Sequence, residues 1–571
     1  MDALLHQAVF LLMHRLMTVR EHLVASLAET PVDVLIVGGG INGAVAAAAL
    51  QSRGVRVALV DRGDFAGVTS SSSSYLAWGG IKYLETYEFG LVRKLCTSRN
   101  HLLRAMPSQV REMRFYVSLE RGFRHGRWFL YAGALFYWLI GNFFTRRPRL
   151  LSRATIAGEE PAINLDRSVG GFEYSDAILP DLDARFVWTF IRRALQQGAL
   201  AVNYVESLGA AWHDDLWHVR LRDARSGRTW TTKARAIVNA AGPWVDAHNQ
   251  LTGTTTGHRH VFSKGIHLIV PRLTPNDRVL TFFADDGRLF FVIPMGDRTC
   301  VGTTDTRVPS PAAQVTDEDR VFVLDNINKR LKLARPLTPA DVIAERCGVR
   351  PLVVAGDAAG QNRDWFQLSR KHVLDVDDGR RHVSIFGGKL TDCVNIGEEI
   401  TQTVRRLGIA VPAPRAPWYG EPGEDVRGRY AARAQSLGLG SLDDPALGHE
   451  STAARLWRRY GDDAAVLLDD IERDPTLRQP AFADAPDLRC EVAYAGRKEM
   501  VTTLDDYLRR RTQLLQTRGR PALVAHPALR DVARLLFGDD ADARIAEFVG
   551  DAAPLAATAT VTRTPTDPIR S

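Results

Sequence analysis

The stretch from Val32 to Asp61 constrains this chain more than any other. VDVLIV is a largely apolar, β-branched run of strand length, the pattern of a strand covered on both faces of a parallel sheet. GGGING follows, then the Ala-rich AVAAAALQSRG, a helix closed by Gly54. VRVALVD is a second buried strand and ends in Asp61. Together they make a complete βαβ crossover. The spacing Gly38-x-Gly40-x-x-Gly43 permits a tight turn, close approach of backbone to a pyrophosphate, and close contact between helix and strand. The helix start offers N–H groups and a positive dipole end to phosphates. Asp61 stands where a carboxylate can accept bonds from ribose hydroxyls. The unit predicts a bound dinucleotide.

FAD and NAD share this fingerprint, so other segments decide. RGDFAGVTSSSSS follows Asp61 directly and is rich in small hydroxyl residues, and AIVNAAGPWVD runs from a strand into a small-residue turn at Ala240–Gly242. Both suit the longer flavin cofactor. No second glycine fingerprint follows a strand, because Gly438-x-Gly440 lies in a helical region. One dinucleotide, FAD, is therefore expected.

A chain of 571 residues calls for several domains. Residues 1–30 read as an amphipathic helix, packed on the body or lying on a membrane, and not as a secretory signal. Residues 31–411 read as an FAD-binding domain interleaved with a substrate domain, the latter at about 75–170 and 246–340. Val261–Thr304 alternates short β-rich runs with turns, including a hairpin at Asp285–Gly287, which predicts an antiparallel sheet. A linker at 412–424 leads to a helical domain over 425–550 and a disordered tail over 551–571. The fold class is α/β, α+β overall. Five scattered cysteines without CxxC spacing fit a reducing compartment and give no reason to expect a metal.

The net charge of +7 is concentrated. From Arg93 to Arg153 thirteen Lys or Arg face only Glu112 and Glu120. Inside that stretch, Trp128–Phe144 (WFLYAGALFYWLIGNFF) is seventeen residues without a charge. One membrane span there would divide the halves of one sheet. A helix or helical pair dipping into the membrane interface between arginine clusters fits better, and a buried core helix pair is the alternative. An uncharged aromatic block suits lipid better than a phosphate backbone, so nucleic acid is not expected.

The order GGGINGA, DFAGVTSSSSS, GGIKYLE, GGFEYSDA, NAAGPWVD, KGIHLIVPRL, FFVIPM, GTTDT, CGVRPL and FGGKLTD resembles the FAD-dependent glycerol-3-phosphate dehydrogenase/oxidase family over about residues 30–535. The resemblance implies a glutathione-reductase-like Rossmann domain, an antiparallel substrate sheet and a C-terminal helical domain. It also implies oxidation of sn-glycerol 3-phosphate to dihydroxyacetone phosphate, with quinone or oxygen as acceptor. It puts flavin contacts on Gly38, Gly40, Asn42, Gly43, Asp61, Arg62, Thr69, Ser70, Ser71, Ala241, Gly242, Gly388, Lys389, Leu390 and Thr391. Its cationic positions fall on Lys82, Arg350, Arg370 and Lys389, its substrate-binding tyrosine on Tyr83 and its general base on His267. A phosphomonoester dianion needs several fixed cations, and a secondary alcohol losing hydride needs a base for its proton. Peripheral attachment to the inner face of the cytoplasmic membrane follows from the aromatic block, and a homodimer is allowed.

The sequence departs from the family pattern in places. Tyr75 and Trp78 stand where many members carry Lys and His, Lys82 where they carry Arg, and Asp392–Cys393–Val394 where they carry Thr-Tyr-Arg. Two other readings compete: a flavin-dependent amine or amino-acid oxidase, and a non-catalytic membrane flavoprotein. Three or more cations at one site argue against the first, because one arginine suffices for an amino acid's carboxylate. The retained His267, Arg350, Arg370 and Lys389 argue against the second.

Overall fold

The computed structural model describes residues 18–356, 371–442 and 450–550. Val32–Val37 sits inside an eight-stranded sheet, parallel to Val57–Val60 on one side and Thr229–Asn239 on the other. Leu200–Val202 and His382–Phe386 extend the parallel run outward, and Val373–Asp377 closes the latter edge antiparallel. Val34, Leu35 and Ile36 are wholly buried, as a strand covered on both faces requires. The Ala-rich helix Ile41–Gln51 packs between the helices Asp183–Gln196 and Cys393–Arg406. Its closeness to the sheet depends on Gly43, where a Cβ would lie 1.8 Å from the Gly38 carbonyl oxygen.

The second sheet has ten strands. Val279–Phe283 runs parallel to Arg111–Glu120, and the other pairings among the described strands are antiparallel. The expected hairpin joins Val279–Phe283 to Leu289–Met295, with Gly287 at positive φ. This sheet exceeds both limits expected for the substrate domain. Ser168–Ile178 stays paired to Arg111–Glu120, and Ala344–Ala355 pairs with His258–Pro271 over twelve positions. The CGVRPL motif is therefore a strand of the substrate sheet, which sets Arg350 one strand away from His267.

The uncharged block forms one helix, Arg127–Ile140, and a turn, the single-helix form of the two expected. Its buried residues are Ala134 and Tyr137. Trp128, Phe129 and Phe143 are 63%, 67% and 54% exposed, which sets aside the buried-core reading. Among the described residues no helix is long and apolar enough to cross a membrane.

The helix Val19–Glu29 lies against the first sheet through Val24 and Leu27, and its buried Arg20 pairs with Asp223 at 2.7 Å. Residues 1–17 of the expected N-terminal helix and the tail 551–571 lie outside the described residues. The helical domain runs from Glu424 to Gly550 and has two apolar cores of its own. It grips the FAD domain at Asp64, a buried carboxylate in the loop after Asp61. Arg510 Nε donates to it at 2.7 Å, and Arg511 Nη1 and Nη2 at 2.9 and 3.0 Å.

Candidate active site

Two clefts meet at Thr69 and Ser70, which line both. The first, about 900 Å³, is walled by Gly38, Gly40, Asp61, Arg62, Ala241, Gly242 and Trp244. The helix Ile41–Gln51 starts at its floor with no side-chain cap, because Gly40 has none to offer, and so presents its positive end to an anion. The Ile41 N–H is taken by Ser70 Oγ at 3.0 Å. Asp61 accepts the N–H groups of Gly39 at 2.7 Å and Gly63 at 2.9 Å, while burial pushes its pKa up to about 6. The Arg62 guanidinium lies 4.0 Å over the Trp244 ring at the cleft wall.

The second cleft, about 1320 Å³, is walled by Trp78, Tyr83, His267, Arg350 and the turn Gly387–Thr391. His267 is 1% exposed, and its Nε2 lies 3.0 Å from Ser74 Oγ. Burial, and then the neighbouring Arg346 and Arg350, hold its pKa well below the usual histidine range, so the ring is neutral. Arg350 lies flat across Gly265, donating from Nη2 to Thr303 Oγ1 at 3.0 Å and from Nη1 to the Thr304 carbonyl at 3.3 Å. Lys389 Nζ bonds the Tyr83 hydroxyl and sits 3.7 Å over its ring. The cleft thus holds a neutral imidazole, an arginine fork, a lysine–tyrosine pair and an apolar wall of Trp78 and Phe291.

Several expected contacts fall elsewhere. Lys82 lines a neighbouring apolar cavity and not this cleft. Ile81–Leu84 is a 3₁₀ turn, where adjacent side chains diverge by a third of a circle, so Tyr83 and Lys82 enter different cavities. Ser71 lines neither cleft. Its Oγ donates to the Val68 carbonyl at 3.1 Å and its own carbonyl accepts Arg346 Nη2 at 2.7 Å, so it braces the loop. Gly43 acts through packing. Asn42 donates to the Gly387 carbonyl at 3.0 Å, and its buried Oδ1 has no protein partner. Gly388, Leu390 and Thr391 line the second cleft as expected residues of the turn. Arg370 lies outside the described residues.

Other groups emerge only in three dimensions. Ser74 holds His267, and Thr303 holds Arg350; the serine run and GTTD were the signals available. Arg346, wholly buried, pairs with Asp183 at 2.9 Å and lies 4.0 Å over the ring of Tyr75. A cation therefore stays beside the position where Tyr75 replaces lysine. Trp78 donates from Nε1 to the Tyr174 hydroxyl at 3.1 Å.

FAD fits these clefts on structural grounds. The helix end that Gly40 leaves without a cap of its own and the carboxylate of Asp61 face the first cleft, which meets the second at Thr69 and Ser70. The second cleft is broad and bordered by planar side chains. A family model described as FAD dependent oxidoreductase matches residues 33–374, and one described as C-terminal domain of alpha-glycerophosphate oxidase matches residues 428–544. The chain is 32% identical to glycerol-3-phosphate dehydrogenase 2 of Mycobacterium bovis, over 84% of this chain and 81% of that protein. It is 30% identical to D-erythritol 1-phosphate dehydrogenase of Brucella abortus, over 84% and 94%. Its fold matches that of the Bacillus halodurans glycerol-3-phosphate dehydrogenase solved with FAD, with TM-score 0.69, 24% identity, and 93% and 96% coverage.

Proposed function

We propose that this chain, which belongs to the FAD-dependent oxidoreductase family, oxidises sn-glycerol 3-phosphate to dihydroxyacetone phosphate. The observation that carries the reading is the second cleft, where a neutral histidine and fixed cations line one space with an apolar wall. Bound there, FAD supplies the two-electron acceptor for the hydride leaving C2. The Arg350 fork offers paired donors to phosphate oxygens, and Lys389 adds a point charge. Tyr83, tied to Lys389, orients the substrate hydroxyls. His267 Nε2 takes the C2 hydroxyl proton once that hydroxyl takes the place of Ser74 Oγ, which lies 3.0 Å from the same nitrogen, and the neutral ring supplies the lone pair. Trp78 and Phe291 keep water from the reacting carbon.

The acceptor in this reading is a quinone at a membrane, with oxygen as the alternative. Two features support it. Trp128, Phe129, Phe136, Leu139 and Phe143 form an exposed apolar face among arginines. Beside it lies an apolar cavity lined by Tyr87, Phe89, Phe129, Phe136 and Phe283, which reaches Tyr174 behind Trp78. Such a face suits peripheral attachment to an anionic leaflet on the cytoplasmic side. The substrate is tested by comparing kcat/KM for glycerol 3-phosphate, D-erythritol 1-phosphate, glycerol and amino acids. Preference for glycerol 3-phosphate upholds the reading. Preference for the four-carbon phosphate moves it to the second relative's substrate, and turnover of an amino acid overturns it.

A further inference from the structure

His372 opens the strand that edges the first sheet, and its ring is 3% exposed. Nδ1 lies 2.5 Å from Asp392 Oδ2, and Nε2 lies 2.7 Å from Glu399 Oε2. A neutral ring has one protonated nitrogen, so its other lone pair would face a carboxylate. Both contacts are bonds only when both nitrogens carry protons. Burial opposes the charge, but the bonds to Asp392 and Glu399 outweigh it and raise the pKa above the ordinary histidine value. The same bond holds Glu399 down at about 2. Behind Glu399, Lys94 Nζ donates to Oε1 at 2.5 Å from the helix Phe89–Ala105.

These bonds converge on the turn that carries Lys389. The Asp392 N–H donates to the Lys389 carbonyl at 2.9 Å, and Asn395 Nδ2 holds Asp392 Oδ1 at 2.6 Å. The backbone at His372 also passes directly under the turn. A Cβ on Gly387 would meet the Lys371 carbonyl oxygen at 3.3 Å and His372 Cα at 3.9 Å. On its far side, Gly387 is held by His260 Nε2 and Asn42. His372 is therefore linked to the turn twice, through the pairing of the next residue, Val373, with Phe386 and through its own bond to Asp392.

We propose that His372 is a positioning residue that, by bridging Asp392 and Glu399, sets the Gly387–Thr391 turn and with it Lys389 against the substrate cleft. The inference rests on the reading of that cleft given above. It also gives the Asp392–Cys393–Val394 departure a role, because the charge of Asp392 is what His372 holds. Among the described residues the groups facing His372 are Asp392 and Glu399, with Lys94 behind the latter and Lys371 exposed beside it in the chain. A histidine with a raised folded-state pKa stabilises fully below its unfolded value of about 6.5, and the contribution disappears as pH rises through the folded value. The turn should therefore loosen on the alkaline side.

The test uses the holoenzyme and the His372→Gln variant. Four quantities are followed from about pH 6 to about pH 9: KM and kcat for glycerol 3-phosphate, release of FAD fluorescence, and Tm. KM in the variant should rise about tenfold at the acid end and lack the alkaline limb expected of the wild type. The wild-type excess in Tm should shrink as pH rises, and FAD release should become pH-insensitive. A variant that keeps the wild-type pH profiles of both Tm and FAD release overturns the proposal. If His372→Gln does not fold, Asp392→Asn keeps the shape and removes one charge, and the same two outcomes decide. The Tm and FAD arms need no substrate, so they decide even if glycerol 3-phosphate is the wrong substrate.

Discussion

Replacing Arg350 by alanine separates the phosphate role from a structural one. Its guanidinium donates to the Thr303 hydroxyl and the Thr304 carbonyl at the cleft wall. It also faces Asp305 Oδ1 at 3.7 Å, so the Tm of each variant is read beside its kinetics to separate a loss of fold from a loss of substrate binding. Charge-assisted bonds to a phosphate contribute on the order of 1.5–3 kcal/mol, which predicts a fall of about 10- to 150-fold in kcat/KM, carried mainly by KM. Arg350→Lys should recover part of this, as a point charge without the fork. A second signature concerns His267. After burial and Arg346, the Arg350 charge contributes next to its depressed pKa. Removing that positive charge makes the protonated ring less unfavourable, so the acidic limb of kcat/KM should move to higher pH in Arg350→Ala and stay put in Arg350→Lys. Steady-state kinetics across the pH range reads both effects. A kcat/KM within about twofold of wild type, with an unmoved acidic limb, would refute the clamp.

Three further outcomes follow from other parts of the molecule. Gly43→Ala puts a methyl 1.8 Å from the Gly38 carbonyl oxygen, so the purified variant should lack the yellow colour of bound flavin; a fully loaded variant contradicts the packing argument. Asp64→Ala takes from buried Arg510 and Arg511 the carboxylate they share, leaving Asp506 beside Arg510 and Glu499 beside Arg511, and should lower stability by about 1.5–3 kcal/mol, measured by denaturant unfolding; a loss under about 0.5 kcal/mol would show that the helical domain grips elsewhere. Changing Trp128, Phe129, Phe136 and Phe143 together to serine should release the protein from anionic liposomes and leave flavin bound. Wild-type protein that ignores such liposomes at low salt would leave oxygen as the acceptor.

The cofactor unit was legible because its information is local. Strand, glycine turn, helix and acid lie within thirty consecutive residues, and each spacing maps onto one crossover. The substrate cleft was legible only by resemblance, since His267, Arg350 and Lys389 converge through strand pairing that no local pattern encodes. Lys82 was misplaced because a 3₁₀ turn, and not the motif, decides which cavity a neighbour of Tyr83 enters. The reach of Ala344–Ala355 along His258–Pro271 is a register property of two distant strands. The grip of Arg510 and Arg511 on Asp64 spans more than four hundred residues of sequence, as does the pairing of Tyr75 with Gln516. The aromatic block announced its composition, yet which residues face outward depends on the phase of one helix over Tyr137.

The most direct test of the central claim is anaerobic mixing of the purified holoenzyme with glycerol 3-phosphate while the visible band of oxidised flavin is followed. Rapid, stoichiometric bleaching by glycerol 3-phosphate, with glycerol and amino acids leaving the band intact, is the predicted result. A band that persists with glycerol 3-phosphate and bleaches with an amino acid or amine would contradict the account.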